Sequence, residues 1–333
     1  MKLSETQQEI LSVASLQANS TASEIGAQCG RSEAQVRYTL DSLRRSKLVR
    51  TFPVINIHSL GYTDYCIFLT FEPGKLGGRS RLLTYLCDSP NTAWVAELAG
   101  EYSHTVSLFA KNIGDVDIFL VNCAKAMRGG IIKKSFAIRE SWTLFPFNKK
   151  QASSRAKVRT ITRESKVNTQ GIDELDWKIL ECICNHPDEP SAAQARRLKI
   201  PPATFIYRLK QLSQRHILLG HAIYVESHLL GLYAYRILIL ERSVSPDLRK
   251  RLFDFAAKHL KISSFVHCVG DWDYELTVEV ASPPDLLTIV DEIDDCFGAE
   301  ILTIKTTALL NTTKIDLFPF QIPKAGIAEA KTE

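Results

Sequence analysis

Two short clusters combine a glycine, a carboxylate and an aromatic ring. The first is Gly100-Glu101-Tyr102, and the second, 170 positions later, is Gly270-Asp271-Trp272-Asp273. In the second cluster the carboxylates stand at the mouth of a strand-like alternation, where they could accept hydrogen bonds from a ligand. Glycine and aspartate are also the usual residues of tight turns, so the cluster could simply build a hairpin. Both interpretations are open on the sequence alone.

A larger group of residues has the chemistry that DNA recognition needs, which is polar side chains for base edges and cations for phosphates. It lies on or beside two segments whose apolar residues recur at helical spacing, 36–43 and 205–212, so that one face packs and the other is presented. The candidates are Arg31, Ser32, Gln35, Arg37, Tyr38, Arg44 and Arg45 in the first segment and Thr204, Tyr207, Arg208 and Lys210 in the second. These residues are compatible with DNA binding by both segments. They are equally compatible with DNA binding by one segment while the other has only a structural role.

The paired positions of these candidates reflect an internal repeat. At an offset of 169 to 170 positions, Ile10-Leu11 matches Ile179-Leu180 and Leu60-Gly61 matches Leu230-Gly231. Two copies of one unit of roughly 150 residues are the simplest account of this pattern. We therefore predict a tandem duplication.

Each unit begins with three short helices whose starts are marked chemically. Hydroxyl residues followed three positions later by glutamine or glutamate form the capping-box pattern, and aspartate and proline also favour helix starts. The marking residues are Ser4, Thr21 and Ser32 in the first unit and Asp173, Ser191 and Pro201-Pro202 in the second. Extended segments at 48–57 and 217–225 follow and can pair as a wing. Each unit thus opens with a predicted winged helix-turn-helix, here called a head.

After each head the pattern changes to strand, helix, strand, strand, helix, strand, the order of ferredoxin-like sandwiches. Both helices lie on one side of the sheet, so the uncovered face invites a partner. The predicted fold class is α+β, with two copies of a winged helix-turn-helix followed by a ferredoxin-like βαββαβ domain, here called a sandwich. The predicted divisions are heads at 1–60 and 172–230, sandwiches at 61–148 and 231–320, a basic linker at 149–171 and a flexible tail at 321–333.

The composition is that of an ordinary soluble globular protein, with 45% apolar and 23% charged residues among 333. Its apolar runs are far shorter than the roughly 20 residues that span a bilayer, so we expect a cytoplasmic location. The eight cysteines show no metal-ligand spacing, and neither a metal nor a cofactor is predicted.

Positive charge is concentrated in the front half and the linker. Residues 1–150 carry 18 Lys and Arg against 13 Asp and Glu, residues 151–170 carry 5 against 1, and the remainder carries 18 against 23. An anionic partner therefore fits these regions best. The linker cations, which could add phosphate contacts or simply be solvated, are Arg155, Lys157, Arg159, Arg163 and Lys166.

Several segments carry a family resemblance: IDELDWKIL (172–180), RLKQLSQRHIL (208–218), the Leu-Gly pair at 230–231 and VGDWDYELTV (269–278). With them the chain resembles the Lrp/AsnC, or feast/famine, family of bacterial and archaeal transcription regulators. Members usually carry one unit and dimerise through the open faces of their sandwich (RAM) domains. The resemblance therefore implies a sequence-specific regulator of double-stranded DNA, built as a covalent pseudo-dimer that could assemble further.

The same resemblance implies a small-molecule effector, often an amino acid, bound at the loops of the sandwiches. Carried over to this chain, the effector residues are Gly100, Glu101, Tyr102, Gly270, Asp271, Trp272 and Asp273. An acid would receive the ammonium group of the effector, and backbone N–H groups would receive its carboxylate.

Two other functions compete with a regulator. Siroheme decarboxylases of heme and heme d1 synthesis are similar in fold, and some are fused pairs, but they carry a His-Asn-Tyr run on the second strand. The corresponding stretches here are WVAELAGEY (94–102) and FVHCVGDWD (265–273), in which Cys268-Val269 follows His267. On this mismatch we predict that the chain is not an enzyme. The other competitor is a ligand-sensing protein whose heads no longer bind DNA.

Overall fold

A computed structural model of the chain describes residues 2–71, 78–127, 131–149, 160–165 and 171–320. The predicted tail and the linker residues Arg155, Lys157, Arg159 and Lys166 lie outside these ranges. Within the ranges the same order of helices and strands occurs twice, and the predicted α+β class is confirmed. In these ranges no helix is both long enough and apolar enough to cross a membrane.

The first head consists of α1 (Glu5–Ala14), α2 (Ala22–Cys29) and α3 (Glu33–Arg45), followed by strand β1 (Val49–Ile55). Its predicted helix starts are confirmed. Ser4 and Thr21 form complete capping boxes, and the Ser32 hydroxyl accepts a hydrogen bond from the Gln35 N–H. Gly30 ends α2 in the left-handed conformation, at φ 69°, and so turns the chain into α3.

The first sandwich follows a 3₁₀ turn at Ile57–Leu60. Its elements are β2 (Thr63–Phe71), α4 (Gly78–Asp88), β3 (Thr92–Ala99), β4 (His104–Ala110), α5 (Ile113–Ala126) and β5 (Ile131–Leu144). The antiparallel strands lie in the order β5-β2-β4-β3, which is the ferredoxin-like arrangement. The two helices cover one face of this sheet through an apolar core.

Part of the predicted linker is a strand. β6 (Ile161–Glu164) pairs with residues 141–144 of β5. Arg163 is buried and forms an ion pair with Asp64, and the side chain of Ile161 packs in one apolar cluster with Leu16, Val54 and Ala222 of the heads. For Arg163, both interpretations left open by the sequence, a phosphate contact and a solvated side chain, are therefore wrong.

The second head contains α6 (Glu174–Asn185), α7 (Ser191–Arg197) and α8 (Pro202–Gln214), followed by strand β7 (Leu218–Val225). Asp173 caps α6 and Pro201-Pro202 begins α8, as predicted. The predicted cap at Ser191 is wrong. Pro190 takes the capping position, Ser191 is already helical, and no side chain caps α7.

The second sandwich follows a 3₁₀ turn at Ser227–Leu230. Its elements are β8 (Tyr233–Glu241), α9 (Pro246–Lys258), β9 (Ile262–Gly270), β10 (Tyr274–Val280), α10 (Pro283–Phe297) and β11 (Ile301–Ile315). The strand order β11-β8-β10-β9 repeats that of the first sandwich, and the helices again share one apolar core with the sheet.

The two heads exchange their extended segments. β1 and β7 pair with each other in an antiparallel ribbon from Val49↔Val225 to Ile55↔Leu218. The core of the first head accordingly includes Ile223, which belongs to the second unit. The expectation of a wing within each head is corrected, because the strand that completes each head comes from the other unit.

The two sandwiches join edge to edge rather than face to face. β3 pairs with β11 and β5 pairs with β9, so that eight strands close into one antiparallel barrel. The helices of both sandwiches lie outside the barrel, and the uncovered faces of both sheets line its interior. Closure leaves the eight strands without an open edge between the units.

Two histidines, the buried His58 and the half-buried His221, make the fold sensitive to mild acid. Burial and the Arg163 guanidinium lower the pKa of His58 to about 4, and burial lowers the pKa of His221 to about 4. An unfolded histidine titrates near ~6.5. Between these values the unfolded chain binds more protons than the folded chain, so stability is lost as the pH falls through this window.

We predict that the free energy of unfolding decreases between about pH 6.5 and pH 4, by as much as about 3 kcal/mol per histidine. The double variant His58→Gln/His221→Gln should flatten this part of the profile, measured by urea unfolding at each pH. His228→Gln is the matched control, because His228 occupies the position of His58 in the second unit and is exposed. An unchanged slope in the double variant would contradict the assignment.

Candidate DNA-binding heads and effector loops

Helix α3 packs one face and presents the other. Its buried face contains Val36, Leu40 and Leu43. The predicted DNA contacts that lie on its exposed side are Ser32, Gln35, Arg37, Tyr38 and Arg45. Tyr38 is 71% exposed, and Arg37 is exposed while it pairs with Glu33 one turn earlier. The presented face therefore offers a guanidinium and a phenol to an approaching partner.

The other two cations among the predicted DNA contacts of the first head, Arg31 and Arg44, are used internally. Arg31 donates from Nε to the Glu9 carboxylate at 2.9 Å. Arg44 lies 3.0 Å from the Asp188 carboxylate, measured from Nε to Oδ1, and Asp188 belongs to the second head. Both side chains are half-buried. Arg31 stabilises the first head, and Arg44 stabilises the contact between the two heads. A DNA contact by either remains a prediction.

Helix α8 presents a more apolar face than α3. Tyr207 is 59% exposed and Lys210 is exposed, whereas Thr204 is half-buried. Within the described ranges, Lys210 has no carboxylate within the 4.0 Å that defines an ion pair. Arg208 instead donates to the Asp173 carboxylate, which caps α6, at 2.6 Å. Of the four predicted contacts, Tyr207 and Lys210 are the two that face solvent.

The second glycine-acid-aromatic loop holds the seam between β9 and β5. Gly270 has a φ of 153°, and a Cβ atom there would lie 2.6 Å from the Phe136 carbonyl oxygen and 2.7 Å from Ala137 Cα. Asp271 accepts hydrogen bonds from the Phe136 N–H at 3.0 Å and from the Ser135 hydroxyl. The glycine thus allows the two units to approach, and the carboxylate fastens them.

The remaining residues of this loop also have internal partners. Trp272 is buried in the barrel and donates its indole N–H to Glu275 at 3.1 Å. The Asp273 carboxylate accepts from the Glu241 N–H at 2.8 Å. Of the two interpretations that the sequence left open, these contacts correspond to the structural one. An effector role for the loop stays a prediction.

The first loop has a different chemistry. Glu101 pairs with Lys133 of its own unit and with Lys305 of the second unit, the latter at 3.4 Å. Tyr102 is buried, and the Lys133 ammonium lies 5.2 Å from its ring centroid. Gly100 has a φ of 124°, but a Cβ atom there would meet nothing closer than 3.8 Å. The acid of this loop is therefore paired with two lysines, whereas the acid of its counterpart is held by the backbone and a hydroxyl of β5.

Five charged side chains meet at the interior of the barrel, and of these the sequence analysis named Arg163 alone, as a linker cation. They are Asp64, Arg139, Arg163, Arg236 and Glu275, all from strands of the two sandwiches or from β6. Arg139 donates to Glu275 twice, from Nη2 at 2.7 Å and from Nε at 3.2 Å. Arg236 lies 3.5 Å from the Glu275 carboxylate, and Arg163 pairs with Asp64.

The electrostatics of this cluster depend on its guanidinium groups. Burial opposes ionisation of Glu275, but Arg139 and Arg236 outweigh it and lower the pKa of Glu275 to about 2. The carboxylate is therefore charged at neutral pH although it is fully buried. The sequence does show a charged residue, Glu275, on the polar face of a predicted strand. It does not show that this face is buried, because the burial results from closure of the barrel.

Residues 172–218 match the family described as winged helix-turn-helix DNA-binding. The second head is a winged helix-turn-helix. The match covers α6, α7, α8 and the start of β7, which are the elements whose exposed face is described above. No curated protein matches the sequence at a significant level.

Solved structures match this chain either over nearly its whole length or over less than half of it. The siroheme decarboxylase NirDL matches with a TM-score of 0.61 and 13% identity over 95% of this chain and 96% of its own. Its complex with an iron-uroporphyrin III analogue matches with a TM-score of 0.60 and 14% identity over the same shares. AsnC of E. coli matches 43% of this chain and 94% of its own at 24% identity, with a TM-score of 0.35.

The prediction that the chain is not an enzyme is contradicted by these matches. These two structures, which match the chain over 95% of its length, are those of an enzyme. At 13% identity the likeness shows the fold alone. The winged helix-turn-helix is therefore part of a fold that also occurs in a decarboxylase, and a head by itself does not decide between regulation and catalysis.

The two glycines provide a matched test of the seam. Both have positive φ, so alanine is strained at either position, but only Gly270 lies against backbone atoms of β5. We predict that Gly270→Ala lowers the free energy of unfolding by about 2 kcal/mol more than Gly100→Ala does, because the seam must open to admit the methyl group. Urea unfolding of both variants measures the difference. Equal losses would mean that the close approach at Gly270 is unimportant.

Proposed function

We propose that the protein is a sequence-specific, double-stranded DNA-binding transcriptional regulator that reads DNA with the exposed faces of α3 and α8. The observation that carries this proposal is that two helix-turn-helix heads, each with a solvent-facing third helix, are tied together by the β1·β7 ribbon. A pair of heads held in one orientation suits two successive major-groove faces, about 34 Å apart on one side of a duplex. A DNA-binding role carries with it the cytoplasmic location that the sequence predicts.

The charges on the two helices support this proposal unequally. The Arg37–Glu33 pair is exposed, and exposed pairs contribute no more than about 1 kcal/mol, so a phosphate can replace the carboxylate at little cost. Lys210 faces solvent. Arg208 is less available because it is bound to the cap of α6. Since the two faces differ, the preferred DNA sequence should be asymmetric.

The proposal includes a small-molecule effector that binds at one of the two glycine-acid-aromatic loops of the sandwiches. The first loop suits it better, because Glu101 is partly exposed and is surrounded by two exposed lysines, Lys133 and Lys305. Such a site would favour an effector that carries a carboxylate together with a group that Glu101 can receive, as an amino acid does. The effector would lie at the seam between β3 and β11 and could influence how the units pair.

We predict that duplexes selected from random DNA share an asymmetric motif and that binding weakens steeply with salt, because cations on the protein displace counterions from the phosphates. The double variant Arg37→Ala/Lys210→Ala should reduce affinity by at least about tenfold and make the salt dependence shallower. Fluorescence anisotropy at several salt concentrations measures both effects.

The control for this experiment is Lys250→Ala, which removes an equally exposed cation from α9 of the second sandwich. It should leave DNA binding unchanged, since α9 lies outside the barrel and away from the heads. If no motif is enriched, or if the control and the double variant lose affinity equally, the heads do not read DNA.

A second candidate function is chemistry on a tetrapyrrole. It is favoured by the likeness in fold over 95% of the chain and by one histidine–carboxylate pair, in which Nδ1 of the buried His267 lies 3.1 Å from the half-buried Glu140 carboxylate across the β5·β9 seam. Titration with iron-uroporphyrin III, followed by absorbance, tests it. A saturable shift of the porphyrin band that is lost in His267→Ala would favour this candidate, and its absence would remove it.

A further inference from the structure

The seams of the barrel differ in the chemistry of their interior. In the β5·β9 seam, Arg139 lies opposite Cys268 and forms its two hydrogen bonds with Glu275. In the β3·β11 seam, the equivalent register position pairs Leu309 with Leu98. One seam is closed around a buried ion pair between the units, and the other is closed by leucines.

The difference follows from the sequence of each unit. At an offset of 170 positions, Arg139 of the first unit corresponds to Leu309 of the second, and Glu275 of the second corresponds to Thr105 of the first. The first unit thus supplies the guanidinium but no carboxylate at the matching site. The second unit supplies the carboxylate but has Leu309 where the first unit has Arg139, so that Arg236 is the guanidinium of its own that lies near Glu275.

We propose that the Arg139–Glu275 pair makes the barrel surface of each sandwich selective, so that a first sandwich pairs with a second sandwich and rejects another copy of itself. In a pairing of two first sandwiches, each Arg139 would face Leu98 and Thr105 in place of Glu275. In a pairing of two second sandwiches, each Glu275 would face Leu309 in place of Arg139. Either arrangement leaves the buried charge without its bidentate partner.

The burial of the pair makes this selection strong. Arg139 and Glu275 have side chains that are 8% and 0% exposed, so neither can recover the lost interaction from water. Removing one partner of a buried ion pair shifts an equilibrium by more than about a hundredfold. Exposed contacts at the seams, such as Glu101 with Lys305, are screened by solvent and contribute little to the choice.

The pairing can be tested on the complete chain cut after folding. A protease site is inserted between positions 151 and 159, two preparations with first fragments of different mass are cut, and the mixture is unfolded in urea and refolded. Native mass spectrometry then counts the pairs. We expect complexes of one first and one second fragment, with like pairs at least about a hundredfold less abundant. Like and unlike pairs in statistical proportion would overturn the proposal.

The double variant Arg139→Met/Glu275→Gln removes the pair while Arg236 and Trp272 keep a polar partner at position 275. In this variant we expect like pairs to appear. Arg251→Met/Glu300→Gln is the matched control, because it removes a bidentate Arg–Glu pair that is exposed and lies within one unit. The control should keep the selection of the unmodified protein.

A second measurement tests whether Arg139 and Glu275 depend on each other, and it does not require the fragments to refold. In the uncut chain, the urea midpoints of Arg139→Met, Glu275→Gln and the double variant form a mutant cycle. We expect each single variant to lower the midpoint and the double variant to lower it by clearly less than the sum of the two. Additive shifts would show that the residues do not depend on each other, and would overturn the proposal.

Discussion

Closure of the barrel withdraws several charged side chains from water, and their need for partners constrains the rest of the structure. A buried charge is tolerated only when opposite charges and hydrogen bonds replace its hydration. Glu275 meets this need through Arg139, Arg236 and Trp272, which come from three different elements. The register of the β5·β9 seam is thereby fixed, because a shift of one residue would turn Arg139 away from the interior.

The heads are fixed by a second set of exchanged contacts. β1 and β7 form one ribbon, and each head includes in its core residues from the strand of the other unit. Arg44 of the first head adds an ion pair with Asp188 of the second. The heads are thus two parts of one body rather than modules on tethers, and the exposed faces of α3 and α8 keep a defined relation to each other.

Local features of the sequence predicted the elements well but not their partners. The spacing of Val36, Leu40 and Leu43 and the cap at Ser4 depend on neighbours in the chain, so they indicate helices directly. The alternation around Glu275 correctly separated two faces of β10. Whether the polar face is wet or buried depends on strands far away in the sequence, and so does the pairing of β1 with β7. For the same reason the sequence does not predict the cluster of buried charges, whose members meet only when the barrel closes.

Strand β6 has a consequence for the order of events during synthesis. It leaves the ribosome directly after the first sandwich and before the second head. By pairing with residues 141–144 of β5, it covers a stretch of free strand edge on the nascent chain, and its Arg163 neutralises Asp64. β6 lies on the same edge of β5 as β2 and extends the pairing beyond the end of β2. This edge is therefore protected from neighbouring chains before the second half is made, and the opposite edge stays open for β9.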